Sequence, residues 1–364
     1  MKVSFPAMRG TIGARQYYAT MIALSEVPHL FKFNDWASCT PELRAQRVLN
    51  KSRVPDVAKY ILDNDDGYIF SSITASYNTD VKFHSSDIHS DVGTLELELE
   101  NTEFIINDGQ HRCAAIAAAL KENPALGKEK ISVLLFPMEN LERLQQMFSD
   151  LNRFAHKTSK SLDILYDKRD ELARVTIAIS EEIDVFKDLV DKDAISLPVR
   201  SRKLFSLAAL YDANEELLKD FKGGDEGSFN ALKNRAREYW IEVAKHIPDW
   251  QKVKDGEMRA TDLRQESISS HAVVLRAIGV MGSELFDKHP NDWKLRLAAL
   301  GNINWLKKNS EWENVCVIAG SVSSNRQSRA ATKAFLKSKL GLQLTDAELR
   351  SINPQQQPQE AVEA

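Results

Sequence analysis

FIINDGQHRCAAI, residues 104–116, decides how this chain is read. Phe104-Ile105-Ile106 is a short apolar run and reads as a buried strand. Asp108-Gly109 follows at once, and Gln110 to Lys121 then reads as an alanine-rich helix, ended by Asn123-Pro124. Glycine can take backbone angles closed to other residues, which a tight strand-to-helix turn requires. The first N–H groups of the helix then point outward with the positive end of its dipole, an arrangement that binds anions and phosphates. Gly109, Gln110, His111 and Arg112 are therefore the candidate phosphate-binding residues. Arg112 could grip a phosphate through two parallel hydrogen bonds, and His111 could donate another or move a proton near neutral pH. The bland reading is that Asp108 caps the helix and Arg112 pairs with a carboxylate. The residues alone leave these two readings level.

Downstream, ISVLLFPM (131–138) reads as a buried strand and ENLERLQQMFSDLNRFA (139–155) as a helix. Upstream, PELRAQRVLN (41–50) and RVPDVAKYILDND (53–65) suit short helices, the second with Val54, Val57, Ala58 and Ile61 at helical spacing. GYIFSSITASYNTDVKF (67–83) is rich in β-branched and aromatic residues, and GTLELELE (93–100) alternates strictly, so both read as strands. From Ser161 onward the segments 161–191, 199–221, 228–246, 261–286, 291–308 and 328–342 suit helices, with FKGGDEGS (221–228) as a polar loop. The expected fold class is α/β (α+β): an α/β domain over 1–160, an all-helical region over 161–345, and a short helix with a disordered tail over 346–364.

Composition narrows the function classes. The chain has 364 residues, 43% of them hydrophobic, enough to bury a real core. No stretch approaches the run of about 18 apolar residues that a bilayer span needs. The N-terminal MKVSFPAMRGTIGARQYY lacks a signal-peptide core, so a cytoplasmic, non-membrane protein is expected. Cys39, Cys113 and Cys316 form no CxxC pair and read as buried reduced thiols. His84, Asp87, His89 and Asp91 offer ligand types at a spacing that fits no defined site, so no metal is expected. No Walker-type phosphate loop occurs. His271 lies in an apolar helical segment and reads as structural, and the scattered tryptophans read as core or interface.

A net charge of −4 argues against a protein that coats DNA, but local basic patches can still meet phosphates. Three clusters qualify. Lys157 and Lys160 lie just past Arg153, with hydroxyls between them; Arg200, Arg202 and Lys203 form the second. The third is Arg326, Arg329, Lys333 and Lys337, in a stretch from Asn314 to Thr345 that has no acidic residue. These nine Lys and Arg side chains are the candidate DNA contacts. No recognition-helix motif is legible among them.

Asp108-Gly109-Gln110-His111-Arg112 spells the signature of the DGQHR-domain family, and Gly109-x-x-Arg112-x-x-Ala115 resembles a box of the ParB/sulfiredoxin-like superfamily. Where sulfiredoxins carry a catalytic cysteine this chain has Gln110, which argues against reductase chemistry. The second phosphate-contacting element of that superfamily is matched in topological order by Asp150-Leu151-Asn152-Arg153. Glu139-Asn140-Leu141-Glu142-Arg143 spells it better but starts its helix rather than ending it. RAQRVLNKSRVPDVAKYI, MFSDLNRFAHKTSKSL and RSRKLFSLAAL extend the similarity, so most of the chain resembles the DndB-type DGQHR proteins of the DNA phosphorothioation (sulfur-modification) system. That resemblance implies a ParB-like α/β domain with a helical extension. It also implies a negative transcriptional regulator that binds double-stranded DNA of its own promoter as a homo-oligomer, alongside the other sulfur-modification proteins. The alternative it leaves open is a nucleotide switch or NTPase: ATP or CTP with Mg²⁺ held by Gly109–Arg112, Asn152 and Arg153, with Asp108 or His111 positioning water. On this reading an enzymatic activity is the less favoured outcome.

Overall fold

The computed structural model describes residues 2–31, 50–153, 158–221 and 229–352, with the side chains of Asn152 and Arg153 also outside the described set. The expected helix at 41–50, the 221–228 loop, Cys39, Lys157 and the tail beyond 352 lie wholly or almost wholly outside it. The chain divides into two compact units, residues 1–156 and 157–364.

The first unit is a seven-stranded sheet with helices on it. Its strands are β1 (Lys2–Ile12), β2 (Arg15–Ala23), β3 (Ile73–Tyr77), β4 (Lys82–Ser85), β5 (Val92–Glu98), β6 (Phe104–Asp108) and β7 (Lys130–Pro137), and its helices α1 (Val27–Leu30), α2 (Val54–Leu62), α3 (Gln110–Glu122) and α4 (Leu141–Arg153). The order across the sheet is β4-β5-β1-β2-β7-β3-β6. Every pairing is antiparallel except β3 with β7. The β6–α3 junction therefore lies at one edge of the sheet.

Alternation along β3 and β6 sorts their side chains onto two faces. Ile73, Ala75, Phe104 and Ile106 join one core with Ile61 of α2 and Cys113, Ala115, Ile116 and Ala119 of α3. The alanines let α3 lie close to the strands. On the other face Ile105 packs with Leu144 of α4. There, Thr74, Ser76 and Asn107 are buried, and the Ser76 hydroxyl donates to Asn107 Oδ1 at 2.8 Å.

Two features depart from the sequence reading. The N-terminal hairpin β1–β2 has no counterpart in it. Its two-residue turn, Gly13-Ala14, holds φ of 57° and 62°, the left-handed pair of a tight hairpin. The run 67–83 is two short strands, β3 and β4, on different parts of the sheet.

The second unit is mainly helical. It comprises α5 (Lys160–Tyr166), α6 (Glu171–Glu182), α7 (Leu207–Leu218), α8 (Phe229–Lys245), α9 (Pro248–Lys254), α10 (Ala260–Glu266), α11 (Ala272–Lys288), α12 (Trp293–Leu297), α13 (Arg326–Lys339) and α14 (Asp346–Ile352). Two minimal strand pairs accompany them: β8 (Val190–Asp191) with β9 (Phe205–Ser206), and β10 (Val317–Ile318) with β11 (Ser321–Val322). At the centre is α11, whose buried face includes Val274, Leu275, Ile278, Met281 and Leu285. A Cβ on Gly279 would sit 2.1 Å from the Ala213 carbonyl oxygen, so α7 and α11 approach backbone to backbone. Trp240, Trp250 and Trp312 are fully buried, and Trp250 packs edge-on against Phe205.

Breaks appear where the sequence suggests continuous helices. The run 161–191 is interrupted after Tyr166, and Asp170 caps α6 by accepting from the Ala173 N–H. The run 261–286 breaks at Ser267–His271. There Ser267 pairs with Leu306 and the Ile268 N–H bonds the Trp305 carbonyl, so the backbone leaves the helix to meet another segment.

Candidate functional site

Two places carry the sequence candidates. The first is the turn between β6 and α3. Gly109 stands at the head of α3 with φ 106° and ψ 10°, and a Cβ there would press on Ile73 at 3.2 Å. Glycine is needed both for the angle and for the space. No described side chain caps the helix. Asp108 instead turns its carboxylate to Arg112, four residues on.

Arg112 is engaged by its own unit through both terminal nitrogens. One guanidinium nitrogen donates to the Ser71 carbonyl at 2.5 Å, the Ser71 hydroxyl at 2.6 Å and the Ser72 carbonyl at 2.9 Å, while the other pairs with Asp108. The side chain thus ties the α3 turn to the segment entering β3. Gln110 is buried. His111 Nε2 accepts the Asn50 N–H at 3.1 Å, which requires that nitrogen to be unprotonated. The Cys113 thiol, one residue past Arg112, is pushed up to about 12 by burial, so it is not a ready nucleophile.

Asn152 and Arg153 lie at the end of α4. The better-spelled ENLER run lies at its start, where Asn140 Oδ1 accepts the Arg143 N–H at 2.9 Å. Asn140 therefore works as a helix cap, and Glu139 lies 3.6 Å from Arg143 and 3.8 Å from Arg15.

The second place is in the helical unit. Arg326 and Arg329 project from the first turn of α13, exposed, and among the described residues neither side chain has a hydrogen-bonding or ion-pairing partner. They line a cleft of about 460 Å³ with Lys219, Arg276 and Lys333. Arg276 is bound at 2.6 Å and 3.0 Å to Glu216, which holds it strongly protonated against the cost of burial. Lys333 reaches Glu348 at 2.7 Å.

Lys337 leaves the candidate DNA surface altogether. It is buried and lies 2.8 Å from Glu284 and 3.0 Å from Glu348, so its charge fastens α13 to α11 and α14. An apolar periodicity places Lys337 beside Leu336 on the inward side of α13, which a tally of cations cannot reveal. Lys160 is exposed but paired with Asp212. Lys203 donates to the Asp188 carbonyl at 2.8 Å. Arg200 and Arg202 are exposed and unpaired among the described residues.

Sequence reasoning missed Arg264. Its guanidinium gathers the carbonyls of Pro198, Val199 and Ser201 at 3.0–3.1 Å, fixing the loop that presents Arg200 and Arg202. His271 is structural as expected: its Nε2 lies 3.0 Å from the Arg264 carbonyl, and burial pushes its pKa down. Among the described residues no three His, Cys, Asp or Glu side chains converge as metal ligands, and no helix is long and apolar enough to cross a membrane.

No curated protein and no solved structure matches the chain significantly. A family model described as DndB, DNA-sulfur modification-associated, matches residues 5–343, nearly the whole chain and both units. The chain therefore belongs to the DndB family of DNA-sulfur modification-associated proteins.

Proposed function

We propose that this protein is a DNA-binding negative regulator of the phosphorothioate-modification operon, and that it meets the phosphates of its own promoter through the helical unit. The observation that carries the reading is the pair Arg326 and Arg329: exposed, unpaired among the described residues, and placed on the first turn of a 14-residue helix. An arginine held without a carboxylate partner keeps its donors for an external anion, and the helix start adds its dipole. Arg200 and Arg202 supply a second contact from a loop that Arg264 holds in shape. Lys333 contributes charge at the edge of the first patch. Lys157, Lys160 and Lys203 are secondary, the last two because their ammonium groups already have partners. A symmetric oligomer suits this role, since palindromic sites mirror protein symmetry, and association with the other modification proteins is compatible with it.

The nucleotide reading keeps one observation in its favour: α3 starts without a side-chain cap, beside an Asp108 carboxylate that is partly exposed. Against it, Arg112 would have to trade Ser71, Ser72 and Asp108 for phosphate oxygens. Calorimetry with ATP and CTP in Mg²⁺ separates the two readings.

The test of the main reading is a fluorescence-anisotropy titration of promoter DNA and random DNA between about 50 and 200 mM salt. Removing one phosphate-binding cation lowers the slope of log K on log salt by about 0.9. The double variant Arg326→Gln/Arg329→Gln is expected to lower it by about 1.8 and to weaken promoter and random DNA alike. An unchanged affinity and slope would remove this surface from the DNA interface.

A further inference from the structure

One stripe of α8, formed by Ala231, Asn234, Arg235 and Glu238, lines a cavity of about 400 Å³ in the helical unit. The rest of its wall is apolar and mostly aromatic: Phe221 just past α7, Phe286 on α11, Pro290, and Trp293 at the start of α12. Phe286 and Trp293 pack edge to face with ring centroids 4.9 Å apart, so each holds the other in place. A concave, apolar wall with a few polar groups and this volume is the usual form of a small-molecule site.

Arg235 is the unusual member of that wall. Its guanidinium carbon lies 3.9 Å from the centre of the Phe286 ring and 4.5 Å from that of Phe221. Rings over a guanidinium occupy its faces, and its N–H donors, which lie in its plane, remain for acceptors. Among the described residues the Arg235 side chain has no hydrogen bond or ion pair, and its Nε is buried without a partner. The one carboxylate in the described wall, Glu238, is taken by Lys294 at 2.6 Å. Burial pushes the Arg235 pKa down, and Glu238 offsets this only in part. A partly buried cation without an anion is costly to keep, and an anion entering the cavity would relieve it. One guanidinium fork matches one carboxylate in charge and in plane, whereas a phosphate dianion needs more cations than this wall offers. The aromatic surface around the fork suits a ring carried by that carboxylate.

We propose that the cavity between α8, Phe221, Phe286 and Trp293 binds an aromatic carboxylate, with the carboxylate on the in-plane donors of Arg235 and the ring against Phe286, Pro290 and Trp293. The carboxylate belongs to a free aromatic acid or to the C-terminal aromatic residue of a peptide, which present the same chemistry to the site. Asn234, on the same stripe of α8, adds an amide donor at the rim. The cavity shares no residue with the cleft beside Arg326 and Arg329, and it stands whether or not those arginines meet DNA.

The experiment is calorimetry on the full chain with hydrocinnamate, with acetate and hydrocinnamyl alcohol as partial ligands, and with phenyl phosphate and the peptide Gly-Gly-Phe. Hydrocinnamate or the peptide is expected to bind one-to-one and at least tenfold tighter than acetate, the alcohol or phenyl phosphate. The tighter of the two names the source, a free acid or a chain terminus. Arg235→Gln should weaken that ligand tenfold or more. Arg235→Lys, which keeps the charge and loses the planar fork, should weaken it nearly as much. Ala231→Phe, which fills the cavity from α8 and leaves Arg235 in place, should abolish binding. The ligand series on the unaltered chain tests the site without any variant. Neither carboxylate binding tighter than acetate and the alcohol, or binding indifferent to Arg235→Gln and Ala231→Phe, overturns the site. Phenyl phosphate binding tighter than both carboxylates overturns the ligand class.

Discussion

Replacing Arg112 with alanine separates a structural arginine from a ligand-binding one. The wild-type guanidinium serves two backbone carbonyls, one hydroxyl and one carboxylate, all inside the first unit, and its side chain is 15% exposed. A hydrogen bond to a charged group nets about 1.5–3 kcal/mol. The Asp108 side chain is 44% exposed, so solvent recovers most of what that pair provides. The Ser71 and Ser72 carbonyls carry the larger share, and the sum comes to about 2–4 kcal/mol. Arg112→Lys should recover part of it, since an ammonium cannot reach both carbonyls and the carboxylate in one plane. Tryptophan fluorescence is a mixed probe: Trp240, Trp250, Trp293, Trp305 and Trp312 belong to the second unit, and Trp36 falls within residues 1–156. Hydrogen exchange of peptides covering 71–77 and 104–116 reads the first unit directly, and exchange there should accelerate about thirty- to a thousandfold. The fluorescence-detected unfolding of the second unit should stay in place. If protection of the turn is unchanged while DNA or nucleotide binding disappears, the donors of Arg112 serve a ligand and the structural account is refuted.

Two further outcomes follow from packing and charge. Gly279→Ala drives a Cβ into the Ala213 carbonyl oxygen at 2.1 Å, so α7 and α11 must part; a destabilisation of about 3 kcal/mol is expected in fluorescence-detected denaturation. Gly256→Ala is its control, with open space around it and only the strain of φ +78°, costing about 1 kcal/mol. Burial alone would raise the Glu348 carboxyl, but Lys333, the Thr345 N–H and Lys337 hold it down to about 2. A carboxylate depressed in the folded state lends stability above its unfolded value, near 4.5, and that stability is lost as pH falls toward 2. Hydrogen exchange in α14 should therefore loosen between those values, and Glu348→Gln should be loose at neutral pH and lose the pH response.

The strand, turn and helix around Gly109 are legible because three independent local signals agree there: an apolar run, a glycine and an alanine-rich helix. The β1–β2 hairpin is not, and its residues say why. Its turn is Gly13-Ala14, and alanine at positive φ carries none of the Asn-Gly or Asp-Gly signal. Pro6 sits inside β1, which counts against a strand in the middle of a sheet. The register resolves this: β1 pairs with β2 only from Ala7 onward, and before that with β5 alone, so Pro6 occupies a position with one ladder neighbour. Long-range register decides what local pattern could not.

The same division runs through the site. Residue type correctly marks Arg112 as a strong multiple donor and the 326–339 helix as basic. It cannot say to whom each donor is given. The side chains of Arg112 and Lys337 are only 15% and 6% exposed, and both spend their charge on holding elements of their own unit together. Arg326 and Arg329 differ from them only in where the helix turns them, away from Glu284 and Glu348 and toward the cleft. A cation becomes a candidate for DNA or nucleotide once the fold has left it without a carboxylate, and that is a property of packing rather than of the motif that first drew attention.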